Sequence, residues 1–216
     1  MNAIILAGGK GSRMPDKTPK PLVTIRDKSI LAWQLHFLLR YKEISKIIVS
    51  LGYRADEISD FIKVNYKNKP VEIVIEESPR GTAGGLKLAI KKSTDQKLLV
   101  INCDDITDTD IGKLDKLNEN TICVAHPSLP FGLVREVDGY AQFEEKPTLT
   151  EWVSYGWYLL MKDSIESILP DEGMLEYDVF PKMKLHLHKH DGFWQPLNTR
   201  KDVDLFETRS LPDSLA

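Results

Sequence analysis

A three-layer α/β/α domain with a mixed, mostly parallel sheet is the fold that the sequence predicts. Short β-rich runs alternate with amphipathic helical patterns through the first half of the chain. That alternation is typical of a parallel sheet covered by helices on both faces. The second half contains a hairpin signal, which predicts a small β-rich insertion. The 216 residues suit one domain, residues 1–216, with a first half of about 1–110 and a second of about 111–216.

The first half predicts four strands and three helices in alternation. Each strand candidate is a short apolar run rich in β-branched residues. The strands are expected at 2–7, 46–51, 71–76 and 97–102, and the helices at about 29–42, 55–66 and 82–92. Ser29 is suited to cap the first helix. Ligands bind beyond the carboxyl ends of strands in such sheets, so the segments after the first and fourth strands should meet at one edge.

The second half is richer in strands. Its hairpin signal is Val137-Asp138-Gly139, a turn sequence between two alternating runs. The elements expected are strands at 131–136, 140–145 and 153–161, helices near 162–169 and 178–185, strands near 185–190 and 193–197, and a last helix at about 200–209.

Composition describes an ordinary globular protein, with 42% hydrophobic and 28% charged residues. A net charge of −3 argues against nucleic-acid binding. No apolar run approaches the roughly 18 residues of a membrane helix. The chain shows no signal-peptide pattern and only two cysteines, Cys103 and Cys123, so the expected compartment is the cytoplasm.

Residues 6–22 carry the strongest functional signal. Gly8, Gly9 and Gly11 follow the first strand, where glycines let the backbone turn tightly and approach a ligand. Successive N–H groups in such a turn can bind an anion. Arg13 and Lys20 add two cations, as a triphosphate would require. A glycine-rich hairpin with surface charge is the simpler alternative, but it does not explain why these features occur together.

Spacing excludes two better-known phosphate motifs. A P-loop needs a lysine after its last glycine, where this chain has Ser12 after Gly11. A dinucleotide fingerprint needs a third glycine at Met14 and then a helix, which Pro15 and Pro19 oppose. We therefore expect a long, extended and cationic loop that wraps over phosphates.

An acidic segment follows the fourth strand. Asp104 lies at the carboxyl end of that strand, opposite the cationic loop. A carboxylate in this place suits Mg²⁺, which prefers oxygen ligands and often bridges protein carboxylates to phosphate. We expect Asp105 and Asp108 to lie in a solvated turn.

These segments, in this order, resemble the sugar-1-phosphate nucleotidyltransferases, also called nucleoside-diphosphate-sugar pyrophosphorylases. The family's leading signature, Gly-Gly-x-Gly-Ser/Thr-Arg followed by Pro-Lys-Pro-Leu/Met, stands at residues 8–22. The nucleotide-contacting Gly-Thr-Ala/Gly-Gly turn matches residues 81–85. Further matching segments are residues 102–104, 143–147, 176–181 and 192–196. The resemblance covers practically the whole chain and implies a Rossmann-like nucleotidyltransferase domain, with the β-rich insertion on the sugar side.

The resemblance implies a Mg²⁺-dependent reaction of a nucleoside triphosphate with a sugar 1-phosphate. The products would be a nucleoside-diphosphate sugar and pyrophosphate, formed by in-line attack on the α-phosphate. The catalytic residues would be Arg13, Lys20 and Asp104, and the metal ligands would be Asp104 and Asn198. The nucleotide would be bound by Leu6, Ala7, Gly8, Gly9, Gly11, Ser12, Arg13, Lys20, Glu77, Gly81, Thr82 and Gly84. The sugar phosphate would be bound by Glu145, Lys146, Gly156 and Glu176.

Departures from the family pattern bear on metal and substrate. The family usually has a second metal-binding Asp where this chain has Asn198, which keeps an oxygen ligand but lacks the charge. Residues 81–85 look like the mannose- and heptose-1-phosphate guanylyltransferases, whereas residues 194–199 look like glucose-1-phosphate cytidylyltransferase. Guanine is favoured as the base, then cytosine, then uracil or thymine.

Two other functions stay open. Asn198 motivates a catalytically weak nucleotidyltransferase-like module that binds nucleotide or sugar phosphate. A cytidylyltransferase for a non-sugar phosphate is the other, although residues 145–147 favour a sugar. The expected partners are the two substrates, without nucleic acid or membrane, for a monomer or homodimer.

Three histidines alternate near the end of the chain. His186, His188 and His190 would share one face of a strand and spread over about 13 Å. Zinc needs convergent ligands, so we expect a solvated strand face.

Overall fold

A computed structural model describes the protein at residues 1–14 and 18–215, so the break expected at Pro15 lies outside the described residues. The strands are β1 Asn2–Ala7, β2 Thr24–Ile25, β3 Lys28–Ser29, β4 Lys46–Leu51, β5 Val71–Ile75, β6 Lys97–Asn102, β7 Asp105–Thr107, β8 Thr121–Ala125, β9 Leu133–Val137, β10 Tyr140–Glu144, β11 Val153–Met161, β12 His186–Lys189 and β13 Trp194–Pro196. The α-helices are α1 Ile30–Leu38, α2 Ala55–Asn65, α3 Gly81–Ala89, α4 Ile111–Asp115, α5 Lys162–Ile165 and α6 Arg200–Thr208.

Seven strands form the central sheet in the order β12-β8-β11-β6-β1-β4-β5. β11 runs antiparallel to both of its neighbours, and every other neighbouring pair in this sheet is parallel. The sheet is therefore mixed and mostly parallel, as the alternating pattern of the sequence predicts.

Helices cover both faces of this sheet. Neighbouring residues of β1 point to opposite faces, so Ile5 joins one buried apolar cluster and Ile4 the other. The first cluster includes Ile58 of α2 and Phe206 of α6, and the second includes Leu86 of α3. These two clusters confirm the three-layer arrangement.

The expected insertion is present as the hairpin of β9 and β10. Its two-residue turn places Asp138 at φ 52° and Gly139 at φ 83°, the left-handed pair that tight hairpins favour. All five residues of β10 are exposed, so the hairpin stands out from the body of the domain.

Several local expectations are corrected. No helix forms over 178–185; a π-helical turn at Leu175–Val179 and a 3₁₀ turn at Phe180–Lys182 occupy this region. Pro181 lacks the N–H that a longer helix would use. The helix expected near 162–169 ends at Ile165. Strands β2, β3, β7 and β8 and helix α4 did not figure among the expected elements.

The helix that opens near the site is capped as expected. The Ser29 hydroxyl accepts a hydrogen bond from the Ala32 N–H at 3.2 Å, which satisfies a backbone donor at the start of α1.

In the described ranges, none of the helices combines the length and apolar character of a membrane span.

Candidate active site

Two segments, the glycine loop after β1 (residues 8–14) and the acidic turn after β6 (residues 104–108), meet because β1 and β6 are neighbours in the sheet. β1 pairs in parallel with β6, and the Cys103 N–H extends this pairing by donating to the Leu6 carbonyl at 3.2 Å. Gly8 and Asp104 each follow at the carboxyl end of their strand. The edge predicted from the sequence is therefore formed.

Lys20 reaches across the loop to this edge. Its Nζ lies 2.8 Å from Asp104 Oδ2, and the two side chains are 12% and 25% exposed. Gly11 permits the approach, because it adopts φ +62° and a Cβ there would lie only 2.8 Å from Lys20 Cβ. The structure thus brings together three of the expected residues, Gly11, Lys20 and Asp104.

A second contact joins the loop to the end of the chain. Arg13 Nη2 donates to Asn198 Oδ1 at 2.8 Å. Asn198 is held beside the acidic turn because the Leu197 N–H donates to the Asp104 carbonyl at 2.7 Å. Asp202, in the first turn of α6, accepts from the Asn198 N–H at 2.9 Å. Arg13 and Asn198, far apart in sequence, therefore meet at this edge.

Asp105 and Asp108 do not lie in a solvated turn, which corrects that expectation. Asp105 is 7% exposed and accepts a hydrogen bond from Trp194 Nε1 at 2.7 Å. Burial, together with the charge of Asp104, raises the pKa of Asp105. Asp108 lies 2.9 Å from His190 Nε2 and accepts from the Phe193 N–H at 2.7 Å. Both carboxylates fasten the acidic turn to β13 and the segment before it.

His190 also departs from the expected solvated face. Its side chain, just after β12, is 11% exposed, whereas that of His186 at the start of β12 is 59% exposed. Burial lowers the pKa of His188, and the charge of His190 acts in the same direction. Within residues 1–14 and 18–215, no three His, Cys, Asp or Glu side chains are grouped to hold a metal ion.

A cavity of about 630 Å³ lies beside the glycine loop. Among the residues expected to bind nucleotide, those that line it are Leu6, Gly8, Gly9, Glu77, Gly81 and Thr82. Residues that sequence reasoning missed also line it, namely Lys10, Tyr53, Arg54, Glu76 and Arg80. Some of them could have been predicted from their positions in the sequence. Residues 53–54 and 76 follow β4 and β5, whose carboxyl ends lie at the same edge of the sheet as the glycine loop.

Two residues expected at the nucleotide are buried away from this cavity. Ala7 is 3% exposed and belongs to the core. Gly84 is buried within α3, where a side chain would collide with the Asp171 carbonyl. The missing side chain lets α3 pack against the segment of Asp171, and the expected nucleotide contact through the Gly84 backbone stays a prediction.

Glu76 is the most closely enclosed carboxylate of the cavity wall. Its Oε1 accepts from Ser50 Oγ at 3.1 Å, and its Oε2 accepts from the Arg80 N–H at 3.4 Å. Burial raises the pKa of Glu76, while these two hydrogen bonds act against that rise.

Of the residues expected to bind the sugar phosphate, Gly156 lies beside Asn102 and Asp105, and Glu176 lies beside Thr82 of the cavity wall. Gly156 adopts φ +78°, and a Cβ there would lie 2.7 Å from Asn102 Nδ2 and 2.9 Å from Asp105 Oδ2. Glu176 accepts from the Tyr158 hydroxyl at 3.1 Å and lies 3.5 Å from Thr82 Oγ1. Both residues therefore border segments of the expected site.

Glu145 and Lys146 lie after the hairpin and are mostly exposed, 3.8 Å from each other. Lys146 lines a second cavity of about 910 Å³, together with His190, Trp194 and Lys201. The expected sugar-phosphate residues therefore divide between two neighbourhoods.

Comparison with known proteins identifies the family. The family model described as nucleotidyl transferase matches residues 2–185. The chain belongs to the nucleotidyl transferase family. A D-glycero-α-D-manno-heptose 1-phosphate guanylyltransferase of Campylobacter jejuni is 34% identical over 173 residues, which are 76% of this chain and 77% of that protein.

Longer relatives of this nucleotidyl transferase are partly matched. The mannose-1-phosphate guanylyltransferase catalytic subunit beta of Drosophila melanogaster is 32% identical over 222 residues. That match covers 93% of this chain, which spans 60% of the length of the Drosophila protein. Among solved structures, HddC from Yersinia pseudotuberculosis complexed with GMP-PN is 29% identical, with a TM-score of 0.78 and coverage of 95% of this chain and 97% of that chain.

The oxygen ligands of this nucleotidyl transferase suit a hard divalent cation. Asp104 offers a carboxylate, and Asn198 offers the amide oxygen of its side chain. The two residues are neighbours because the Leu197 N–H donates to the Asp104 carbonyl. Mg²⁺ is usually bound by one or two protein oxygens plus substrate phosphates, not by a cage made only of protein. These two oxygen donors therefore suit a divalent cation that arrives with a phosphate ligand.

Proposed function

We propose that the protein transfers a nucleotide from a nucleoside triphosphate to a sugar 1-phosphate, releasing pyrophosphate. One observation carries the proposal: Lys20–Asp104 and Arg13–Asn198, each at 2.8 Å, place two cations and two oxygen ligands at the carboxyl edge of β1 and β6. This arrangement adjoins the cavity that the glycine loop lines. Fixed cations and oxygen ligands at one edge are what transfer of a charged phosphoryl group requires.

Guanine is the base that we propose. The named relatives in Campylobacter and Drosophila are guanylyltransferases, and the Yersinia structure contains GMP-PN. The sugar is proposed as a mannose- or heptose-type 1-phosphate, from the same two relatives.

The chemistry needs no nucleophilic side chain. An anionic phosphate oxygen of the sugar 1-phosphate would form a bond to the α-phosphorus, while the bond from that phosphorus to the bridging oxygen breaks. Pyrophosphate would leave with the bonding electrons. Lys20 would hold the α-phosphate, and Arg13 would stabilise charge on the departing pyrophosphate. Positioning and charge stabilisation of this kind can supply most of the rate enhancement.

Asp104 and Asn198 would hold Mg²⁺ in the loaded enzyme. Such an ion supplies neutralisation of triphosphate charge when it is bound. Asn198 also orients Arg13 through its side-chain oxygen, so one residue would serve both the ion and the cation of the loop.

Sugar phosphate binding is assigned to the second half of the chain. Lys146 and Glu145 are mostly exposed and are therefore available to a ligand. Lys146 would bind the phosphate, while Glu145, Gly156 and Glu176 would lie near the sugar. We place this reaction in the cytoplasm, carried out by a monomer or homodimer.

The test is pyrophosphate release from five nucleoside triphosphates across a panel of sugar 1-phosphates with Mg²⁺. The expected result is release with GTP and a mannose- or heptose-type 1-phosphate. Asn198, in place of a second carboxylate, motivates a binding module of low activity as the competing function. Tight nucleotide binding with no release across the whole panel would favour that module.

A further inference from the structure

The two outer strands of the central sheet differ in composition. Among the described strands, β12 forms one edge of this sheet and β5 forms the other. β12 reads His-Leu-His-Lys, and titratable or charged side chains of this kind oppose pairing with a further strand. β5 reads Val-Glu-Ile-Val-Ile, so that all but one of its side chains are apolar and β-branched. The edge at β5 is therefore suited to pair with another strand.

The backbone of β5 presents hydrogen-bonding groups on its outer side. The Pro70 carbonyl and the Glu76 N–H bond to β4, at 2.8 and 2.7 Å, so the even-numbered residues face that strand. Backbone N–H and C=O directions alternate along a strand. Those of Val71, Ile73 and Ile75 therefore point away from the sheet, in the direction from which a further strand would approach.

One face of this edge is apolar. Val71 and Ile73 are half-buried against the core, and Ile75 on the same face is 50% exposed. On the opposite face, the Glu72 carboxylate lies 2.8 Å from Lys46 Nζ of β4. The single charge within β5 is thus paired inside its own chain and does not protect the edge.

A second copy of β5 is complementary to this edge. In antiparallel pairing about a two-fold axis at Ile73, Ile73 faces its own copy and Val71 faces Ile75, which gives cross-strand pairs of β-branched side chains. The Val71 N–H, which donates to the Lys69 carbonyl at 2.7 Å, would take Ile75 as its partner instead. Lys69 and Glu77 are both exposed and would face each other, so opposite charges meet at both ends of the pairing.

The charges also select this register. An axis at residue 72 would set Glu72 against its own copy, and an axis at residue 74 would set Glu72 against Glu76. Like charges directly opposite each other are destabilising. An axis farther from residue 73 shortens the paired segment, so Ile73 is the favoured centre.

We propose that the protein forms a symmetric homodimer in which two β5 strands pair antiparallel and join the two seven-stranded sheets into one. The inference goes beyond the proposed function, since the interface contains neither substrate. Glu76 and Glu77 follow β5 and line the nucleotide cavity, so the two cavities of the dimer lie on either side of its axis.

Sedimentation velocity of the unmodified protein without substrate tests the dimer. The expected mass is that of two chains of 24.6 kDa each. Ile75→Lys should raise the dimer dissociation constant at least about 10²-fold, because it adds a cation beside Lys69 of the second copy twice in a symmetric interface. The matched control is Leu187→Lys on β12, where the leucine is 58% exposed, and it should keep the dimer. A single-chain mass for the unmodified protein at its highest soluble concentration would overturn the proposal, as would an unchanged dimer in folded Ile75→Lys.

Disulfide formation between two variants tests the register. Glu72 and Val74 would form a non-hydrogen-bonded pair across the axis, with Cα atoms about 4.5 Å apart, which a disulfide can span. Glu72→Cys mixed with Val74→Cys should therefore crosslink under mild oxidation. Each variant alone should not, because its own copy lies on the diagonal at roughly 7–8 Å. Cys103 and Cys123 are buried and leave the assay clear. No crosslink in the mixture, or crosslinking of one variant alone to the same extent, would contradict the interface.

These measurements are independent of the proposed reaction. They use the protein without nucleotide or sugar phosphate, so a dimer with no pyrophosphate release would support the interface and contradict the proposed function. Release of pyrophosphate by a protein with a single-chain mass would do the opposite. If Ile75→Lys does not fold, as shown by a thermal melt, the mass of the unmodified protein and the crosslinking decide.

Discussion

At the scale of single residues, four side chains from separate parts of the chain make the candidate site. Lys20 and Arg13 come from the loop after β1, Asp104 follows β6, and Asn198 follows β13. Each loop cation lies 2.8 Å from an oxygen of the opposite wall. These contacts hold both cations at this edge of the sheet, and charges in fixed positions are the condition for electrostatic catalysis.

Arg13→Ala and Asp104→Asn should each lower turnover by at least about 10²-fold, the scale expected when preorganised charge is lost. Pyrophosphate release under saturating substrate measures the effect, and a thermal melt shows that each variant is folded. Lys63→Ala is a matched control, since this cation lies on α2 and is 67% exposed. A folded Arg13→Ala protein with a rate near that of the unmodified enzyme would contradict the role given to the loop.

Asn198→Asp should lower the Mg²⁺ concentration for half-maximal rate, on the order of tenfold, because a second ligand charge strengthens binding of a hard cation. The carboxylate could still accept the hydrogen bond from Arg13. A Mg²⁺ titration of the two proteins at fixed substrate gives the comparison. Identical Mg²⁺ dependence would show that Asn198 is not a metal ligand.

At the scale of elements, α1 and β11 both contact the acidic turn and hold it in place. Gln34 of α1 is 2% exposed and donates to the carbonyls of Asn102 and Asp105, at 2.8 and 3.0 Å. Gly156, in the irregular part of β11, lets that strand approach the same turn. The position of Asp104 therefore depends on α1, β11 and β13 together.

Gly156→Ala should destabilise the fold and reduce turnover. The alanine would be strained at φ +78° and would crowd Asn102 and Asp105, for an expected loss of at least about 1–3 kcal/mol in the free energy of unfolding. Gly139→Ala separates the two causes, because Gly139 has φ +83° with no heavy atom within 4 Å of the added Cβ. Equal losses in urea denaturation would mean that crowding at the acidic turn is unimportant.

The elements differ in how far the sequence predicts them. β1, β4 and β6 have the expected bounds, because continuous apolar runs bury both faces of a central strand. β7 was missed because it has only three residues, and the pairing partners of β7 and β8, β13 and β11, come later in the chain. Asp105 was misplaced for the same reason: the Trp194 indole that covers it is 89 residues away.

At the scale of the whole molecule, the fold joins the first and last parts of the chain. β13 pairs with β7, and α6 packs Phe206 against Trp33 of α1, with ring centroids 5.5 Å apart. The order of the chemical segments predicts the carboxyl edge of the sheet. The exact partner of each side chain, such as Ser50 for Glu76, depends on three-dimensional packing that no local pattern records.

Stability should fall as the pH drops below about 6.5, in part through His188. Burial lowers the pKa of His188 from the ordinary value of 6.5, with His190 and Lys113 acting in the same direction and Asp110 against it. The unfolded chain therefore binds a proton first as the pH falls, which favours unfolding. Urea denaturation at pH 8 and pH 5 should show a smaller decrease for His188→Gln than for the unmodified protein. His36→Gln, exposed on α1, is the control. An equal decrease in all three proteins would contradict the assignment.

The proposed reaction transfers one nucleotide to one molecule of sugar phosphate at the edge formed by β1 and β6. The most direct measurement is the amount of each product formed from GTP and a mannose- or heptose-type 1-phosphate, by mass spectrometry and pyrophosphate assay. We predict equal amounts of guanosine-diphosphate sugar and pyrophosphate, with both lost together in Arg13→Ala. Pyrophosphate without the sugar product, or both products at an undiminished rate in folded Arg13→Ala, would contradict it.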